Sequence, residues 1–462
     1  MARIPPAVGY PLWQDEVASA RIMIEPTIGA ALGRVEDTES TPPLWYGLAW
    51  LVEQAGLPVE AARGIGVVSS ALLAGLVVVY ARRFLPLWAA GLAGLLVALA
   101  SQLVLRGAEL RAYALYALLA LAFAWLLERA AERPSNGRLA ALAAVTAAGL
   151  LTHYFFVFLG LAGAAWLWTT PAFRASRLAV SVSLAAAVIP FLLWLPSLVQ
   201  QVEHQRFSWI GDFSLLKAVA VYSAFGWNAG PLYVRDLVEI GALEGLLRVG
   251  VFLAVVAGCV VAWRLGPRGR LTAILALAPI GMVALLWLAG ENLFTARNVL
   301  ACAPFAAVAI AALAAALPKR WGRLAAAACV LVVAGGLARE AELAPPAYDE
   351  AAAELVEFGW QEDDQIAFFG GAHELSYLGS AYALRGPVSW YLPGHPRLEL
   401  SEGGPCEPAD WVGPPDPRSE HLSTISEVED LAIGEFNCPV VENDLAGFVR
   451  REGGFLFVPA DD

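Results

Sequence analysis

Long apolar runs, separated by short connections that carry arginine, occupy most of the first 338 residues. They lie at about 64–80, 86–104, 112–128, 139–152, 155–169, 178–197, 247–263, 271–289, 299–317 and 324–338. Each is long enough, or nearly so, to cross a hydrocarbon core of roughly 30 Å. The chain is 58% hydrophobic and 16% charged, whereas soluble proteins are roughly 45–50% apolar. This pattern predicts an α-helical polytopic membrane protein with about ten transmembrane helices.

The basic residues predict how these helices are oriented. Arginine and lysine cluster in alternate connections, near 82–83, 129–138, 174–177, 264–270 and 319–323. Short basic connections stay on the cytoplasmic side of a membrane. The other connections and both termini are then outside, which predicts a multi-pass membrane protein whose chemistry faces outward. Basic residues spread between apolar runs do not form a nucleic-acid surface.

Three regions follow from this pattern. Residues 1–63 form an extracytoplasmic first loop with an acidic motif and an interfacial helix, residues 64–338 form the transmembrane domain, and residues 339–462 form an acidic extracytoplasmic domain. The last region holds 25 of the 42 acidic residues. A strand-like run in "DDQIAFFGG" and helical spacing in "YDEAAAELVEFGW" and at 373–384 predict a small α/β fold. Cys406 and Cys438 lie there, and an outside location would permit a disulfide between them.

The stretch "PLWQDEVASA" places Asp15 and Glu16 side by side on the predicted outer face. Taken alone, the pair is best interpreted as a cap of the helix that follows, because an acidic side chain there accepts hydrogen bonds from free amides. A functional interpretation needs partners on the same face.

Such partners exist near the outer ends of several predicted spans: Glu39, Arg63, Glu109, Arg111, Tyr113, His153, Tyr154 and Arg297. Ionisable groups at the membrane are costly, which makes them candidates for function. Each has an alternative, because an arginine can snorkel to the interface and a lone histidine can simply pack. Their convergence on one face favours a site.

The ordered motifs resemble those of a known group of enzymes. "W-x-D-E" at Asp15 and Glu16, an acidic stretch before "PPLWY", "E-x-R-x-Y" from Glu109 to Tyr113, "T-H-Y" at 152–154, and Arg297 seven residues before a proline follow one another along the chain. Together they resemble the integral-membrane GT-C glycosyltransferases, in the branch of the bacterial relatives of protein O-mannosyltransferases and of lipid A aminoarabinose transferases (glycosyltransferase family 39-like). This resemblance implies a multi-pass protein of a bacterial plasma (inner) membrane.

The resemblance implies a reaction and a role for each residue. A polyprenyl-phosphate sugar would be the donor, and the sugar would pass with inversion to an acceptor hydroxyl at the outer face. Asp15 would be the general base, and Glu16 would orient the acceptor or bind a metal. Arg111, His153 and Arg297 would be the cations that stabilise the leaving phosphate. Glu39, Arg63, Glu109, Tyr113 and Tyr154 would support them.

Other expectations concern ligands and partners. A divalent cation, Mg²⁺ or Mn²⁺, would find hard oxygen ligands in Asp15, Glu16 and Glu109; the alternative is that cationic side chains serve the phosphate without a metal. Aromatic segments at 42–50 and 207–227 would wall an apolar groove for the prenyl tail. The acceptor would be a protein, a glycolipid or a polysaccharide.

The chain departs from the family at its beginning, since the helix expected before Asp15 is missing, and we expect either that the true start lies upstream or that the protein is a shortened variant. Two alternatives stay open, namely a lipid or sugar transporter or flippase, and a non-catalytic relative that binds lipid-linked sugars.

Overall fold

The computed structural model describes the following residues: 9–203, 219, 242–290, 293, 295–341, 349, 352–353, 356, 365–368, 388–395, 447–451 and 454–458. They divide into two compact units, of which the first contains residues 20–343 and the second contains residues 9–19 together with 344–462. Residues 9–19, expected in the first outer loop, are thus grouped with the C-terminal residues.

Helices make up the first unit. Their bounds are α1 (Gln14–Met23, which begins in the second unit), α2 (Ile28–Thr38), α3 (Leu44–Gln54), α4 (Arg63–Ala81), α5 (Leu87–Leu99), α6 (Ser101–Ala108), α7 (Tyr113–Glu132), α8 (Asn136–Leu150), α9 (Phe156–Thr169), α10 (Arg177–Glu203), α11 (Ala242–Arg264), α12 (Pro267–Leu288), α13 (Ala303–Ala316) and α14 (Lys319–Ala341).

The chain is a multi-pass membrane protein. Within the described residues, six helices are long and apolar enough to cross a membrane, or seven if α5 and α6, which meet at a bend of 53°, form one span. The predicted class of fold is confirmed, and this measure counts six or seven of the roughly ten predicted spans. Helices do lie at the other three predicted positions, but α8, α9 and α13 have only 15, 14 and 14 residues, short of the roughly 20 that a full crossing needs.

Small residues let these helices approach closely. A Cβ atom on Gly258 of α11 would collide with the backbone of Ala309 on α13, and one on Gly66 of α4 would lie 2.6 Å from the carbonyl oxygen of Gly107. Close backbone approach of this kind replaces the hydrophobic effect as a source of helix association in lipid. The contact of Gly66 also fixes the chain just before Glu109.

Successive spans run in opposite directions, so the connections between them alternate between the two ends of the bundle. The "basic end" carries the connections 82–86, 133–135, 170–176, 265–266 and 317–318, and the "site end" carries the turns 109–112 and 151–155 and the described residues 295–302 before α13. Two hydrogen bonds hold α2 and α3 at the site end. The backbone amide of Leu44 donates to the carbonyl of Leu151 at 2.9 Å, and the side-chain amide of Gln201 donates to the carbonyl of Val35 at 3.0 Å. Exposed Ile28 and Leu51 suit helices that lie in the membrane interface.

Two arginines and two glutamates join three helices at the basic end. Arg83 approaches Glu128 at 3.3 Å and Glu132 at 2.7 Å. Arg268 on α12 pairs with both carboxylates, at 2.5 Å for Glu132, and donates to the carbonyl of Arg83 at 3.1 Å. Glu128 is fully buried, so its charge depends on these partners.

The second unit contains a three-stranded sheet made of β1 (Gln365–Phe368), β2 (Gly447–Arg451) and β3 (Gly454–Val458). The order is β1-β3-β2, with β1 parallel and β2 antiparallel to β3. The predicted strand in "DDQIAFFGG" is β1. The segment 373–384, expected to be helical, and both Cys406 and Cys438 lie outside the described residues.

We predict that Glu128→Gln weakens the fold far more than Glu132→Gln. Both glutamates contact the same two arginines, but Glu128 is buried whereas Glu132 is about a third exposed. Loss of the buried charge should cost about 2 kcal/mol, and loss of the exposed one less than about 1 kcal/mol. Denaturant unfolding in detergent measures both, and equal losses would contradict a burial-dependent role.

Candidate functional site

The centre of the site end is a buried ion pair. Nη1 of Arg111 lies 3.2 Å from Oε1 and 3.0 Å from Oε2 of Glu39. The residues are only 8% and 5% exposed. Arg111 lies just before α7 and Glu39 lies just after α2, so this pair joins the interfacial helices to the helix bundle.

A chain of two hydroxyl groups holds Glu39 in place. The Tyr46 hydroxyl, on α3, donates to Oε2 of Glu39 at 2.7 Å, and the Thr41 hydroxyl lies 2.9 Å from the Tyr46 hydroxyl. Burial raises the pKa of Tyr46 well above its usual value of 10, so the phenol remains a proton donor. Sequence reasoning missed both residues, although "TPPLWY" was part of the motif.

Glu109 and Tyr113 share one partner, which lies on α6. Arg106 forms an ion pair with Glu109, and its guanidinium lies 5.9 Å from the centre of the Tyr113 ring. Arg63, at the start of α4, is 2% exposed. These supporting residues therefore lie at the site end and are partly or wholly buried.

His153 lies in the turn between α8 and α9. A side chain on Gly149 would overlap the ring of Phe156, so glycine permits the tight reversal there. Nδ1 of His153 accepts a hydrogen bond from the Phe155 amide at 3.3 Å. Burial, with the nearby charge of Arg111, lowers the pKa of His153 from 6.5 to about 3.

The His153 ring is therefore neutral at physiological pH. Because Nδ1 accepts the Phe155 amide, the ring proton resides on Nε2. The sequence predicts that His153 supplies a positive charge. In the structure the ring is neutral, and it can offer an Nε2–H donor instead. Burial among aromatic rings, which the sequence does not reveal, is the cause.

Tyr154 faces α10 rather than Arg111. Its hydroxyl donates to Oε1 of Gln201 at 2.6 Å and accepts from the indole nitrogen of Trp194 at 2.9 Å. The Gln201 side chain also binds the backbone of α2. Tyr154 thus connects the His153 turn to the interfacial helices.

Arg297 lies in the connection between α12 and α13 and is half-buried. Its neighbour Asn298 donates through its side chain to the carbonyl of Leu293 at 2.8 Å, and through its amide to the Thr295 hydroxyl at 3.3 Å. The Tyr116 hydroxyl donates to the carbonyl of Asn298 at 3.2 Å. Neighbouring Glu291 lies outside the described residues.

Asp15 and Glu16 lie in the first turn of α1, in the second unit. Oε2 of Glu16 accepts the Trp13 amide at 3.4 Å, the reciprocal half of a capping box. The helix-cap interpretation therefore holds for Glu16, which is 1% exposed, while Asp15 is half-buried. The relation of Asp15 to Arg111, His153 and Arg297 stays a prediction.

A metal site also stays a prediction. Among the described residues, no three His, Cys, Asp or Glu side chains are grouped as metal ligands. The predicted set is divided, because Glu109 lies in the first unit and Asp15 and Glu16 lie in the second.

An apolar cavity of about 230 Å³ lies in the first unit. Residues of α5, α6, α11, α13 and α14 line it, among them Gly250, Ala306 and Cys329. They come from the bend between α5 and α6, the first halves of α11 and α13 and the middle of α14, which places the cavity in the half of the bundle next to the site end. The segment 42–50 does not line it, and most of 207–227 lies outside the described residues.

The sequence and the fold both have known counterparts. Residues 40–199 match a family model described as dolichyl-phosphate-mannose-protein mannosyltransferase. The fold is similar to a crystal structure of ArnT from Cupriavidus metallidurans in the apo state, with a TM-score of 0.57 and 12% identity over 86% of this chain and 83% of that one.

The chain has the GT-C fold.

Two further GT-C structures carry lipid phosphates. ArnT from Cupriavidus metallidurans bound to undecaprenyl phosphate matches with a TM-score of 0.55 and 13% identity, over 87% of this chain and 84% of that one. The archaeal oligosaccharyltransferase AglB from Archaeoglobus fulgidus, in complex with an inhibitory peptide and a dolichol-phosphate, matches with a TM-score of 0.51 and 13% identity, over 84% of this chain and 60% of that one. A comparison with curated proteins finds no match.

The matched family region covers part of the candidate site. It contains these predicted residues: Arg63, Glu109, Arg111, Tyr113, His153 and Tyr154. Asp15, Glu16, Glu39 and Arg297 lie outside the match.

We predict that acid destabilises the protein through His153. The unfolded state takes up a proton near pH 6.5, whereas the folded state keeps the ring neutral down to about pH 3. The free energy of unfolding should therefore fall as the pH falls between these values, by at most about 1.4 kcal/mol per pH unit. Apparent melting temperatures of wild type and His153→Gln, from pH 7 to pH 4.5, provide the test, and parallel curves would contradict a buried neutral histidine.

Proposed function

We propose that this protein is a glycosyltransferase that takes its sugar from a polyprenyl-phosphate donor. The observation that carries the proposal is the presence, at one end of a GT-C helix bundle, of the buried Glu39–Arg111 pair and of an apolar cavity. A lipid phosphate needs oriented N–H donors, such as those of a guanidinium, for its head and an apolar place for its tail. Two proteins of similar fold have lipid phosphates in their structures.

The reaction we propose is an inverting displacement at the anomeric carbon of the donor. Asp15 takes the proton of the acceptor hydroxyl, the freed oxygen forms a bond to the anomeric carbon, and the bond from that carbon to the phosphate oxygen breaks. Polyprenyl phosphate leaves with the electron pair. Arg111 and Arg297, as cations, and the Nε2–H of His153, as a neutral donor, stabilise the charge on the leaving phosphate.

The other residues position these groups. Glu39 neutralises and orients Arg111, and Glu16 holds the first turn of α1 at Asp15 through its bond to the Trp13 amide. We place the basic end in the cytoplasm of a bacterium, because arginine-rich connections stay inside, and the site end outside. The acceptor would be a protein, a glycolipid or a polysaccharide.

We predict that Asp15→Asn abolishes sugar transfer and leaves donor binding intact. Loss of a general base should lower the rate by at least about 100-fold. The measurement is transfer by the full-length protein in nanodiscs, together with the Kd for polyprenyl phosphate. Asp37→Asn, which removes an exposed carboxylate that accepts from Gln200, is the matched control.

The same measurement separates this function from its alternatives. A transporter or flippase should move lipid equally well in wild type and Asp15→Asn, and a non-catalytic binder should show no transfer in either. Transfer at the wild-type rate by Asp15→Asn would show that another group acts as the base.

We predict that Gly250→Leu weakens binding of polyprenyl phosphate. Gly250 lines the cavity, and a Cβ atom there meets open space, so the leucine side chain fits the fold but occupies the place of the lipid tail. We expect a Kd at least about tenfold higher. Gly281→Leu on α12 is the matched control, because a Cβ there also meets open space and the residue does not line the cavity. Equal Kd values for the two variants would place the tail elsewhere.

A further inference from the structure

Tyr116 is the residue that contacts two of the elements expected to bind the donor phosphate. It lies in the first turns of α7, five residues after Arg111, and is 1% exposed. Its ring stacks on that of His153, with a centre-to-centre distance of 4.4 Å and an interplanar angle of 13°. Its hydroxyl donates to the carbonyl of Asn298 at 3.2 Å.

The bond to Asn298 acts on the backbone next to Arg297. The Asn298 side chain and amide already close the loop through Leu293 and Thr295, so the loop has a defined local shape. The Tyr116 bond ties that shape to α7. Arg111 lies directly before the same helix. The Tyr116 side chain therefore sets the spacing of Arg111, the loop of Arg297 and the ring of His153.

The stacking contact acts on His153 in a similar way. The Phe155 amide fixes Nδ1 of this ring, and the Tyr116 ring fixes its plane. Both constraints are needed for Nε2–H to point in one direction, since a hydrogen bond to Nδ1 alone allows the imidazole to tilt.

We infer that Tyr116 is a positioning residue of the donor-phosphate site, which holds the loop of Arg297 and the ring of His153 at a fixed separation. The inference rests on the proposed function and assigns no contact between Tyr116 and the phosphate. It does not follow from the motifs of the sequence, in which Tyr116 is one of many aromatic residues in an apolar run.

The test compares Tyr116→Phe with Tyr80→Phe in the full-length protein. Each variant removes one hydroxyl from a buried tyrosine. The hydroxyl of Tyr80 lies 2.9 Å from that of Thr272, toward the basic end of α4. Tyr116→Phe keeps the stacking on His153, so the variant isolates the bond to Asn298.

Two measurements are made on each variant. Hydrogen exchange of the loop around Arg297, without donor, should be faster in Tyr116→Phe and unchanged in Tyr80→Phe. The Kd for polyprenyl phosphate should rise about three- to tenfold in Tyr116→Phe only.

Each outcome has one meaning. Unchanged loop exchange in Tyr116→Phe, or an equal change in both variants, would overturn the positioning role. Faster exchange with an unchanged Kd would overturn the link between the loop and the phosphate. If wild type itself fails to bind polyprenyl phosphate, the proposed function fails, whereas the exchange measurement still decides whether Tyr116 holds the loop.

Discussion

A guanidinium group in an apolar surrounding needs a counter-ion, and Arg111 obtains one from Glu39, which lies 72 residues earlier in the chain. Removing either partner would leave a buried charge without compensation. Because Glu39 follows α2 and Arg111 precedes α7, the requirement for this pair fixes where the interfacial helices lie on the bundle. The bonds from Tyr46 to Glu39 and from Leu44 to Leu151 then complete the same attachment.

A buried charge at the basic end also needs counter-ions, and there it has two of them. Glu128 is buried in α7 and is compensated by Arg83 and Arg268. One helix, α7, therefore has charged groups at both ends, each of which is neutralised by a residue from another part of the chain. Such pairs specify which helices are neighbours, a task that uniform apolar surfaces perform poorly in lipid.

The sequence predicts the class of fold well, because apolar runs and arginine-rich connections report directly on membrane helices. It predicts less well which helices cross the membrane, since the length of α8, α9 and α13 depends on the turns that end them. The importance of Arg111 and His153 can be predicted from their position at the ends of spans. The neutral state of His153 cannot, because it arises from burial against rings such as that of Tyr116, which lies near it only in the folded chain. The capping bond of Glu16 was an alternative that the sequence left open, and its geometry is visible only once α1 has formed.

The neutrality of His153 has a consequence for kinetics. Arginine keeps its charge at all accessible pH values, and His153 does not titrate above about pH 3. The three groups assigned to the donor phosphate thus carry a constant charge across the neutral range. A change of transfer rate with pH in that range would therefore report on the acid–base chemistry of the acceptor side. The groups that hold the donor would add no pH dependence to the rate.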